Sequence, residues 1–104
     1  MCEFLKTLSR IQTRNVEIHN KIQYAFSTLK SSRSKTAAKR KAVSILNESN
    51  SLIAAQQKDI SFSKKYLKMD DFGEKALSKE ILELRSLVAL INKLSRTVYH
   101  VEEH

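Results

Sequence analysis

A chain of 104 residues is the size of one domain, long enough to bury a core but near the limit where burial only modestly exceeds chain entropy. With one Gly and no Pro, where about seven and five are ordinary at this length, tight turns must be few, and an all-β fold with its frequent turn residues is excluded. Nineteen Lys and Arg against eleven Asp and Glu give a net charge of +8, which speaks about partners and solubility rather than fold.

The charge is uneven: residues 1–30 carry +3, residues 31–69 carry +7 and residues 70–104 carry −2. The lone Cys2 has no partner for an internal disulfide, and MCEFLKTLSR lacks the apolar core of a secretory signal. An intracellular protein, of cytoplasm or nucleus, is therefore expected. Apolar runs are only a few residues long, far short of the roughly 20 a membrane span needs, so no transmembrane segment is expected.

In chain order, Phe4, Leu8, Ile11, Asn15, Ile18, Ile22, Ala25 and Leu29 alternate steps of four and three. This heptad-like seam predicts a first helix over about 3–30. Asn15 is its one polar position, and a seam Asn is a device that fixes register. The Ser-rich SSRSK at 31–35 ends this helix, with Ser32 or Ser34 suited to cap the next.

A second helix over about 35–68 has a thinner stripe of Ala38, Ala42, Ile45, Leu46, Leu52, Ile53, Ile60 and Leu67, with Ser49, Gln56 and Ser63 on the same face. NESNS at 47–51 is poor helix-forming sequence and marks where a break would fall; a single continuous helix is the reading adopted. In MDDFGEK, Asp71 followed by Glu74 fits a capping box, which leaves Gly73 inside the first turn. The third helix, about 72–102, has the widest stripe. Leu77, Ile81, Leu84, Val88, Ile91 and Val98 are broadened by Leu87, Leu90, Leu94 and Val101.

Three long, coiled-coil-like helices with short connections predict a single all-α domain over 1–104, an up-down-up antiparallel three-helix bundle. Reversals near 32 and 72 set Asn15 opposite Ser49 and Ser49 opposite Ser95, so these three are expected to form a polar layer at mid-bundle.

Two features point outward. Helix 3 has more apolar surface than helix 2 can cover, so Phe4, Phe26, Leu87, Leu90, Leu94 and Tyr99 are expected to offer a groove between helices 1 and 3 to a partner helix or to a second copy of the chain. The second is the basic run of Lys30, Arg33, Lys35, Lys39, Arg40 and Lys41, without an acid among them. Lys35, Lys39 and Arg40 fall in the first turns of helix 2, where the dipole already disfavours cations, so Arg33, Lys35, Lys39, Arg40 and Lys41 are candidate contacts for nucleic acid or another polyanion. The same pairing sets Glu102 and Glu103 beside Lys41, and no aromatic is interleaved at 30–41. A further ridge, Lys6, Arg10 and Arg14, repeats every four residues and puts like charges side by side.

Arg14, Asn15 and His19 spell Arg-polar-x-x-x-His, which resembles the short motif of HEPN-type ribonucleases, a family that uses the Arg and His at a dimer cleft to cleave RNA. The resemblance covers six residues and lies in the first helix, whereas the family's motif lies late in a larger bundle. His100 and His104 have metal-ligand spacing with no third ligand placed. No catalytic residue, metal or cofactor is assigned. The expected protein is a non-enzymatic helical interaction module, a small subunit or adaptor that binds partner helices; polyanion binding through 30–41 is the alternative.

Overall fold

The computed structural model describes residues 3–101 as three helices in an up-down-up bundle, α1 (Glu3–Ser31), α2 (Lys35–Tyr66) and α3 (Asp71–Tyr99). The rod measures 55 × 20 × 18 Å between its outermost Cα atoms. Among the described residues, no helix is long and apolar enough to cross a membrane.

Every position of the α1 seam is buried, joined by Thr7. Ile11, Ile18 and Ile22 of α1 and Leu87, Leu94 and Val98 of α3 are fully buried in one continuous core, where closely fitted aliphatic side chains supply most of the stabilisation. The stripe of α2 is thinner, and Ser49, Gln56 and Ser63 are buried along it.

Both connections are held by local polar contacts. Ser34 caps α2, its Oγ accepting from the Ala37 amide at 3.3 Å, which satisfies one of the free N–H groups at a helix start. The helix runs unbroken through 47–51 because the buried Leu46, Ser49 and Ile53 anchor its core face while Asn47 and Asn50 face solvent, packing that overrides the weak local propensity. It ends at Tyr66, with the Leu67 amide donating to the Ser63 carbonyl.

The start of α3 differs by one residue from the capping box read in the sequence. Asp70 is the cap, its Oδ1 accepting from the Gly73 amide at 2.7 Å. Asp71 and Glu74 still lie in the first turn, where the dipole favours them. The shift places glycine where the Phe4 ring lies, since a Cβ at Gly73 would sit 2.7 Å from Phe4 Cε2.

Register also differs. Lys21 pairs with Glu48, Asn15 with Gln56 and Arg14 with Asp59, so facing residue numbers add to about 70 rather than 64. Asn15 meets neither Ser49 nor Ser95. Ser49 is buried with its Oγ unpartnered, and Ser95 is half-buried. The reason is reach and valence: a serine hydroxyl is short and brings one proton, whereas the Gln56 carboxamide spans the gap and both donates and accepts.

Candidate interaction surfaces

At the waist of the rod the polar groups of three helices meet. Gln56 Nε2 donates to Asn15 Oδ1 at 2.7 Å and to the Ile11 carbonyl at 2.6 Å. Asn15 Nδ2 in turn donates to the Glu80 carbonyl and to Glu80 Oε1, both at 3.1 Å. Arg14 Nη1 bonds Gln56 Oε1 at 2.9 Å and Asp59 Oδ2 at 2.7 Å, and Arg10 adds a weaker 3.5 Å contact to Asp59. The ridge of arginines four residues apart is thereby explained: both straddle one carboxylate of α2. Partial burial pushes the Asp59 carboxyl up, but hydrogen bonds from Arg14 and Arg10, reinforced by their charges, outweigh it and hold the group below the usual carboxylate range.

The turn end, where α1 begins and α2 passes into α3, carries a groove of about 760 Å³ between α1 and α3. Phe4, Leu8, Gly73 and Ala76 lie along it with Met69, and Leu5 and Phe72 stand on its rim, 55% and 85% exposed. Lys68 and Asp70 border it with opposite charges.

The apolar groove between α1 and α3 at this end is not lined by most of the residues assigned to it in the sequence. Leu87 and Leu94 have no exposed surface, Phe4 is buried, and Phe26 and Leu90 are half-buried against the core. Of the six, Tyr99 alone is exposed, at 76%. The wide stripe of α3 is consumed because two helices pack on it, and the slender residues of α2 let them approach. Phe72 was missed because it precedes the periodic stripe; its signal was a large aromatic in the first helical turn beside two aspartates.

At the opposite, open end the basic run is partly answered from within. Lys35 Nζ donates to the Leu29 carbonyl at 2.8 Å. The negative end of the α1 dipole thus receives a cation that the start of α2 disfavours. Lys35 is a cap rather than a free anion contact. Lys41 Nζ rests over the Tyr24 ring, 4.9 Å from its centroid, and the adjacent ammonium, by hydrogen bond and charge, draws the Tyr24 phenol below its usual pKa. Lys39 is half-buried, while Arg33 and Arg40 are exposed. Glu102 and Glu103, like His104, lie outside the described residues.

The ribonuclease-like motif does not assemble. Arg14 is committed to Asp59 and Gln56 of α2, whereas the exposed His19 borders a separate recess toward α3 with Lys79 and Glu83. Among the described residues no three His, Cys, Asp or Glu side chains converge as metal ligands. Set against known proteins, the chain matches no family model, no curated protein and no solved structure.

Proposed function

We propose that the chain is an intracellular helical interaction module without chemistry of its own, and that it pairs with a second copy of itself through the groove at the turn end. The carrying observation is Phe72, a ring 85% exposed beside an apolar groove large enough to receive such a ring. A twofold interface uses one patch on both partners, so it requires a protrusion and a recess on the same face. Phe72 and the groove are such a pair. Lys68 and Asp70, of opposite charge, both border the groove, so a twofold interface can set each copy's cation against the other's carboxylate. An apolar cluster of this exposure, left open, would be an aggregation hazard.

Light scattering across a protein concentration series tests the reading. A mass of twice the chain is expected, reverting to the single chain in Phe72→Asp with its helical circular dichroism unchanged. A wild-type chain that stays single at about 100 μM, a concentration at which even modest affinities are populated, overturns self-pairing and leaves a foreign helix as the occupant of the groove.

A further inference from the structure

The antiparallel topology sorts charge along the rod in a way no single stretch of sequence displays. Among the described residues, the open half, residues 21–48 and 88–101, holds nine Lys and Arg against one acid, net +8, while residues 3–20 and 49–87 hold ten against eight, net +2. Lys93 and Arg96 of α3 come to the same end as Lys30, Arg33, Arg40 and Lys41, because α1 and α3 run parallel and Asn15 is level with Glu80. Most of the net charge of the chain therefore belongs to one half of a rod 55 Å long.

The fold also supplies what the basic run lacks in sequence, an aromatic ring. Tyr24, six residues before Lys30, is brought across the helix pair to Lys41 and is 49% exposed. It stands in a shallow trough of about 400 Å³ between α1 and α2, with Asn20 and Ser44 as neutral polar neighbours. Lys21 and Glu48 close the far side with their own ion pair at 2.9 Å. An exposed ring in a polar trough beside a run of cations is the combination used to hold single strands, in which cations follow the phosphates and bases stack on aromatic faces.

We infer that this trough binds single-stranded nucleic acid, with Tyr24 stacking a base and Lys41, Arg40, Arg33 and Lys30 contacting successive phosphates. Lys41 rests on the ring where a stacked base would lie, and a phosphate draws it off the ring. A lipid surface uses the positive charge but has no use for a ring set in a trough with polar walls. An acidic protein surface uses the charge but not the stacking face. The inference is independent of pairing at the turn end, since the two surfaces share no residue.

The test is fluorescence anisotropy of labelled 15-mer oligo-U and oligo-dT on the full chain, at 50 and 200 mM salt, beside vesicles containing anionic lipid. Four phosphate contacts predict about a 50-fold loss of affinity across that fourfold rise in salt. Tyr24→Ala is expected to weaken binding about tenfold, and the pair Lys41→Ala with Arg40→Ala to flatten the salt dependence. The chain has no Trp, so Tyr24→Trp installs a single reporter whose emission is quenched on stacking. Binding that ignores Tyr24→Ala, a Tyr24→Trp emission that oligonucleotide leaves unchanged, or attachment to vesicles without oligonucleotide binding would each overturn the inference.

Discussion

The two ends of the rod are built from the same helices yet are finished in opposite ways. At the open end, loose charge is partly absorbed by the protein: Lys35 closes the end of α1 and Lys41 lies on a ring. At the turn end, a backbone cap is completed by Asp70, but Leu5 and Phe72 are left without cover. The difference teaches where to look for partners. A surface whose groups already have local partners gains only by exchange, and is sensitive to salt; one whose apolar groups have none gains by burial, and is largely indifferent to salt.

The sharpest way to break that comparison is to cross the variants. Phe72→Asp should abolish pairing and leave affinity per chain for oligonucleotide within about twofold, while Tyr24→Ala should do the reverse. Coupled losses would mean that one surface, not two, is at work.

Next in size is the waist that keeps the ends in line. Gln56→Ala removes a buried side chain and leaves Asn15 Oδ1 and the Ile11 carbonyl without their donor and Arg14 without one acceptor, so about 3 kcal/mol of stability should be lost. This corresponds to a melting temperature lower by more than about 10 °C, as read by thermal circular dichroism.

Asp59→Asn is a gentler change at the same level, costing about 1–2 kcal/mol at neutral pH because Arg14 keeps an oxygen to bond but loses its counter-charge. Its pH signature is the more telling readout. A carboxyl held below its unfolded value contributes stability that is fully present above the unfolded pKa of about 3.9 and is lost as pH falls through the lower folded value. The wild type should therefore lose its advantage over Asp59→Asn in acid titrations below about pH 4, and the two curves should converge there.

The smallest effect on stability is expected from Gly73→Ala. Better helix propensity, worth about 1 kcal/mol, opposes the displacement of the Phe4 ring, so the net change should stay within about 1 kcal/mol. Pairing, which depends on the shape of that groove, should weaken more visibly, by about tenfold in the same light-scattering series.

The fold was legible because periodicity suffices for helices of this length: every seam residue of α1 from Phe4 to Leu29 is buried, and both reversals fall where Ser and Asp cluster. The surfaces were less legible. A stripe says which residues are apolar, not how many neighbours will pack on them, so Leu87 and Leu94 read as surplus and are core. Register needs the length of each side chain as well as its polarity; Gln56 and Ser49 look alike as polar interruptions, yet only Gln56 reaches Asn15. Spatial neighbours far apart in sequence, such as Tyr24 with Lys41 or Arg14 with Asp59, leave no local trace at all.

The amide of Asn15 carries one more consequence, for the order in which the chain assembles. Its oxygen is satisfied by α2, but both acceptors of its amide nitrogen belong to Glu80, 65 positions away on α3. The α1–α2 hairpin, rich in near neighbours, is the fast part to form. Until α3 docks, that amide and the apolar residues of the α1 seam beside it face water. A two-helix state therefore leaves the seam uncovered and the amide bonded only to solvent, which favours a chain that folds and unfolds as one cooperative unit rather than by peeling away its last helix.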